Sequence, residues 1–169
     1  NISKIERIKS LKPKKEIIRK GAMMACLNCD HPDIEEFILA KQKGGRFNKF
    51  NFSVLITDEF MEKVNKDEEF NLVFNNQIYK TIKARELYDL IMNCTYHKNE
   101  PGVLFYDNMQ KNNPLAYLGP VDATNPCGEI PGNSAITTCC LLGSLNLTQY
   151  VDLKTRSFDL DQYKADIAV

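Results

Sequence analysis

The chain has 169 residues, one domain's length by the usual ~100–200 residues per domain, which is enough to bury a sizeable core. Lys plus Arg number 22 and Asp plus Glu number 22, a balance that excludes a chain-wide nucleic-acid footprint and a polybasic membrane anchor. Hydrophobic residues at 43% and charged residues at 26% exclude wholesale disorder, and no apolar run approaches the ~18 residues of a membrane span.

The balance does not hold locally. Between Asn1 and Lys20 stand Lys4, Arg7, Lys9, Lys12, Lys14, Lys15, Arg19 and Lys20 against Glu6 and Glu16. Such a run could meet phosphate, but a solvated terminus is the simpler reading. Residues 1–18 are set apart as a basic N-terminal segment.

His31-Pro32-Asp33-Ile34-Glu35-Glu36-Phe37-Ile38-Leu39 has Pro near a first helical position, acids in the first turn and apolar residues at i, i+3 and i+4. This predicts a helix to about Lys41, stopped by Gly44-Gly45. Phe50 to Ile56 reads as a partly buried strand, and Thr57 as the cap of a helix over Asp58 to Val64. Phe70–Phe74 and Gln77–Ile82, joined at Asn75-Asn76, predict a hairpin. Ala84, Leu87, Tyr88 and Ile91 give the next helix its apolar face, and Val103 to Tyr106 a short buried strand. Phe158 to Val169 reads as the start of a helix that stops inside its period, as in a piece of a longer chain. Helices and strands alternating at this spacing predict an α/β fold. Met23, Met24, Phe37, Phe52 and Phe60 are expected in the core.

The opening Asn1-Ile2-Ser3-Lys4 has no apolar signal-peptide region, so the expected location is the cytoplasm. Six cysteines there read as reduced thiols, metal ligands or catalytic groups rather than a disulfide framework.

The most informative stretch is Ala123-Thr124-Asn125-Pro126-Cys127-Gly128-Glu129-Ile130-Pro131. Two prolines and a glycine forbid a regular helix and a central strand, leaving a fixed irregular loop of the kind that carries function. If the loop is extended, Asn125, Cys127 and Glu129 project to one side. A hydrolytic cysteine needs a basic partner, and His31 and His97 lie far away in sequence. A carboxylate beside a thiol disfavours the thiolate without disfavouring hydrogen-atom exchange at S–H, so the residue types suit a radical enzyme.

Asn125-Pro126-Cys127-Gly128-Glu129, followed by Cys140-Leu141-Leu142-Gly143-Ser144-Leu145-Asn146-Leu147, resembles the active-site stretch of the ribonucleotide reductase large subunit. Arg19 to Met24, His31 to Ile38, Phe52 to Asp58 and Pro101 to Phe105 agree in order and spacing. The wording is most like the adenosylcobalamin-dependent, class II, branch. The resemblance implies that residues 19–169 are part of a ten-stranded α/β barrel, with 123–131 as the finger loop inside it. It implies a thiyl radical on Cys127, a proton-accepting carboxylate on Glu129 and a substrate-orienting amide on Asn125. Cys140 is implied as one half of a redox disulfide whose partner lies outside this chain, and Arg19 as part of a loop relaying effector identity.

The same resemblance implies a ribonucleoside di- or triphosphate substrate and a cofactor, adenosylcobalamin, or else a radical delivered by a metal-bearing small subunit. It also implies a nucleotide effector, a thiol reductant such as thioredoxin, and the remainder of the reductase as partner. Membrane and direct nucleic-acid partners are not expected. The family's several hundred residues make this an internal piece, inactive alone. The competing reading is a non-catalytic remnant, or a structural module holding phosphate at the basic front end or zinc. For zinc, Cys26-x-x-Cys29 and Cys94-x-x-His97 have suitable short spacings, although buried cysteine is the simpler account.

Overall fold

The computed structural model describes residues Gly21 to Ala168, so the basic run and Arg19 lie outside the described residues. The chain divides into two compact units, Asn1–Thr138 and Cys139–Val169. Among the described residues no helix is long and apolar enough to cross a membrane.

The first unit is built on a parallel sheet of three strands, β1 (Met23–Asn28), β2 (Phe50–Ile56) and β5 (Gly102–Phe105), in the order β1-β2-β5. Both connections are crossovers, as parallel pairing requires. The first runs through helix α1 (Ile34–Leu39). The second runs through α2 (Asp58–Lys66), the antiparallel hairpin β3 (Glu69–Phe74) and β4 (Gln77–Lys83), and the long α3 (Ala84–Lys98). The expected α/β class is therefore observed, as an open sheet rather than a closed barrel.

Most element boundaries follow from local chemistry. Thr57 caps α2 by accepting the Phe60 N–H at 3.1 Å, and the Asp107 carboxylate accepts the Asp58 N–H at 2.6 Å. Each satisfies a donor that the first helical turn leaves unpaired. Asn75 and Asn76 both adopt positive φ, +50° and +61°, the geometry of a two-residue hairpin turn matching strand twist. Two expectations shift. The helix expected to begin near His31 and reach Lys41 is shorter at both ends. The Ala40 and Gln42 amides reach back only three residues, to Phe37 and Leu39, tightening the chain into turns ahead of the glycines. Tyr106 opens helix α4 (Tyr106–Lys111) instead of ending β5.

The pleat gives the sheet two faces. Registered partners Leu27, Val54 and Val103, with Ile56, point to the helices. There they join a core of Ile34, Ile38, Phe60, Val64, Leu72, Leu87 and Ile91, all nearly inaccessible. Phe60 packs edge-on against Phe70, with ring centroids 5.0 Å apart, and Phe52 stacks on Phe37 at 4.6 Å. Met23, expected in the core, is instead 43% exposed because it begins an outer strand of this sheet. The opposite face presents Met24, Cys26, Asn51, Ser53, Leu55, Gly102 and Leu104.

The second unit contains a 3-10 turn (Leu147–Tyr150), the short pair β8 (Val151–Asp152) and β9 (Ser157–Phe158), and helix α5 (Leu160–Ile167). Tyr150, Phe158 and Tyr163 form its aromatic cluster, with centroids 5.4–5.8 Å apart. Asp159 caps α5 by accepting the Gln162 N–H at 3.0 Å.

Phe60→Ala should lower the unfolding free energy by about 3–5 kcal/mol and Thr57→Ala by about 1 kcal/mol, read from urea unfolding curves. A Phe60→Ala midpoint equal to that of the parent would contradict the packing described.

Candidate active site

The loop that follows α4 is fixed at its base by a small antiparallel pair, β6 (Ala123–Thr124) and β7 (Pro131–Gly132). Asp122 braces that pair. Its amide donates to Gly132 O at 3.0 Å, and its carboxylate accepts the Ser134 amide at 2.7 Å and hydroxyl at 2.6 Å. One residue earlier, the Gln110 side chain acts as a strand mimic. It donates to the Val121 carbonyl and accepts the Val121 amide at 3.1 Å.

Within the loop the Gly128 amide donates to Asn125 O at 2.9 Å, closing a four-residue turn over Asn125-Pro126-Cys127-Gly128. The sequence suits that turn: Asn at its first position, Pro with φ preset at its second and Gly at its last. Gly128 has φ +85°, a conformation that other L residues rarely adopt. The Asn125 side chain then accepts the Ile130 N–H at 3.0 Å, locking the descending limb. The extended arrangement with Asn125, Cys127 and Glu129 in one row is thus replaced by a tight turn, because Pro126 and Gly128 favour reversal over extension. Cys127 stands at the turn's third position with its side chain exposed, and Glu129 follows on the exposed limb.

The loop is laid across the non-helical face of the sheet. Its first strand, β6, packs against β1, which sets Thr124 beside the Cys26 thiol. The Asn51 amide of β2 donates to Pro126 O at 2.5 Å, and a Cβ at Gly128 would lie 3.9 Å from the Leu104 side chain of β5. All three supporting residues belong to the same face of the pleat. Asn51 and Gln110 were invisible as site residues in the sequence, because nothing in the spacing of a strand amide or a helix amide announces a distant loop carbonyl.

A family model described as "Ribonucleotide reductase, barrel domain" matches residues 6–169. The chain belongs to the ribonucleotide reductase barrel-domain family. A Thermoplasma acidophilum protein named vitamin B12-dependent ribonucleoside-diphosphate reductase is 42% identical over 145 residues, 83% of this chain and 19% of its own length. A Mycobacterium tuberculosis protein of the same name is 35% identical over 154 residues, covering 89% of this chain and 22% of its own length. An Agrobacterium fabrum vitamin B12-dependent ribonucleotide reductase is 34% identical over 116 residues, 68% of this chain and 9% of its own. This reductase segment thus spans about a fifth of the length of the first two relatives.

The remaining sequence candidates separate. Cys140 lies exposed in the second unit. The zinc set Cys26, Cys29, Cys94 and His97 is not brought together, and among the described residues no group of three or more His, Cys, Asp or Glu side chains could hold a metal ion. The physical reason is that each of these residues is committed elsewhere. Cys26 lies under the loop, Cys29 is buried with its sulfur 4.0 Å from the Thr57 hydroxyl, Cys94 is buried on α3, and His97 is exposed near that helix's C-terminus. Burial pushes the Cys26 and Cys94 thiols up, Thr124 drawing the first part of the way back. Burial pushes Cys29 up to about 11.

A thiol whose pKa is higher folded than unfolded contributes stability below its unfolded value near 9, and that contribution is lost as pH climbs towards 11. Unfolding free energy should therefore drop by on the order of 2–3 kcal/mol more across that window in the parent than in Cys29→Ala, measured by urea unfolding at each pH. In the folded chain at neutral pH, iodoacetamide should label Cys127, Cys139 and Cys140 well before Cys29 and Cys94. Peptide mass mapping would show the order, and early labelling of Cys29 would contradict its burial.

Proposed function

We propose that this chain supplies the radical-bearing loop of a ribonucleotide reductase catalytic subunit and acts when joined to the remainder of that subunit. The observation that supports the reading best is the Asn125–Gly128 turn, which sets an exposed cysteine at its apex over the face of the sheet turned away from the helices. A thiol held there can reach a bound molecule, while the proline and the glycine keep it from collapsing onto the strands.

In this reading the Cys127 sulfur, as a thiyl radical, takes the 3′ hydrogen of the ribose and later returns one. Glu129 accepts the proton of the 3′ hydroxyl, a role suited to a carboxylate. Asn125, its oxygen engaged by Ile130, has amide N–H donors for the ribose hydroxyls and so orients the loss of the 2′ oxygen as water. Cys140 and a cysteine outside this chain give up two electrons to the substrate and become a disulfide. Thioredoxin or a similar dithiol restores them, which suits the reducing cytoplasm. Arg19 takes part in the loop that relays effector identity.

The substrates are ribonucleoside di- or triphosphates and the products DNA precursors. The relatives named as vitamin B12-dependent support adenosylcobalamin as the cofactor, and an exposed thiol on a rigid turn fits that chemistry. When bound, adenosylcobalamin supplies the hydrogen-abstracting radical; the part played by this chain is the Cys127 S–H bond that receives it.

Anaerobic ribonucleotide reduction with adenosylcobalamin and a dithiol tests the reading. Deoxyribonucleotide should form when the chain is combined with the complementary remainder of a related reductase, not with the chain alone, and Cys127→Ser should abolish it. Product that survives Cys127→Ser, or none from a folded and assembled mixture, would overturn the proposal.

A further inference from the structure

Of the six cysteines, Cys26, Cys29 and Cys94 are withdrawn into the fold. Cys127 stands on its turn in the first unit. That leaves Cys139 beside Cys140 at the start of the second unit, both exposed and both free. The stretch from Thr137 to Asn146 carries neither helix nor strand ladder. Its peptide groups are not committed to a regular hydrogen-bond pattern that a local change of backbone would break. Chain connectivity alone keeps these two thiols together, which gives them a high effective concentration whatever packs around them.

We propose that Cys139 and Cys140 form a reversible disulfide with each other, so that Cys139 is the resolving thiol for any disulfide that Cys140 enters. Adjacent α-carbons lie about 3.8 Å apart across a trans peptide, closer than the ~4.4–6.8 Å usual for a disulfide. The bond therefore forms under strain, and strained, exposed disulfides are the easily reduced ones. The pair is suited to passing electrons rather than to stapling the fold.

The exchange balances as two attacks. The Cys140 thiolate attacks one sulfur of an existing disulfide, breaks that S–S bond and releases the other sulfur as a thiolate. The Cys139 thiolate then attacks the Cys140 sulfur, forms the Cys139–Cys140 bond and releases the second partner thiolate. Two electrons pass from the pair to the partner disulfide, which leaves as two thiols, and the protons lost by Cys139 and Cys140 go to them. In the reductase this rests on the function proposed above. The disulfide made during substrate reduction between Cys140 and its distant partner is moved onto Cys139–Cys140, which returns the distant partner to its thiol.

The chemistry is testable on the full chain without reductase activity, so its failure is distinguishable from failure of that reading. The chain is treated with oxidised glutathione and cut after Glu129, which separates Cys127 from the pair. The expected peptide holds Cys139 and Cys140, carries no glutathione and is lighter by two hydrogens. Glutathione added back in reduced form should reopen it at ratios that leave an ordinary structural disulfide closed. Cys139→Ser should stop at a glutathione adduct on Cys140, and Cys140→Ser at an adduct on Cys139. Both positions are exposed, so neither variant disturbs the core. Stable adducts on both cysteines of the parent chain would overturn the proposal, as would a disulfide from either one to Cys127.

Discussion

Everything in the first unit depends on the parallel pairing of β2 with a strand on each side. Parallel strands can be joined only by crossovers, so the helices are forced onto one face, where they bury Val54, Ile56 and their neighbours. The alternation of the pleat then hands the other face to Cys26, Asn51, Ser53, Gly102 and Leu104. One set of hydrogen bonds thus decides both where the core lies and which side chains are left to hold the loop.

At its centre, where Ser53 pairs with Gly102, that second face is low. Ser53 is buried at the centre of the sheet, and a Cβ added at Gly102 would lie 3.0 Å from the Ser53 hydroxyl. Small groups here leave height above the middle of the sheet, and the loop is held on either side of them, at Asn51 and Leu104. It crosses from β1 to β2 to β5 through β6, Pro126 and Gly128 in turn. A side chain at 102 would press on the Ser53 hydroxyl beside it.

The parts legible in the sequence were those governed by neighbours in the chain. Thr57 before Asp58-Glu59, Asn75-Asn76 between apolar runs, and the spacing of Leu87 and Ile91 each specify an element locally, and each element is found. The resemblance placed Cys127 on a constrained loop, and the turn is encoded by Pro126 and Gly128 themselves. What depended on distant partners was not legible. The grip of Asn51 on Pro126 spans 75 residues and that of Asp107 on the α2 terminus 49, and hydrophobic periodicity carries no record of either. Met23 misled because an apolar residue at the outer strand of a sheet looks, in sequence, like one at its centre. The cysteine spacings suggested a metal because sequence distance alone cannot tell a thiol facing the core from one facing the loop.

The bonds that shape the loop run through Thr124, Asn125, Pro126, Gly128 and Ile130, using mainly backbone groups. Cys127 and Glu129 sit between those anchor points rather than among them. Asn125 alone serves both the scaffold and the proposed chemistry; at 127 and 129 the loop works as a mount into which different reactive side chains can be set. Selenocysteine, serine or an unnatural thiol at position 127 would inherit the same position and the same outlook. The chemistry of the segment can thus change by one atom at a time without renegotiating its shape.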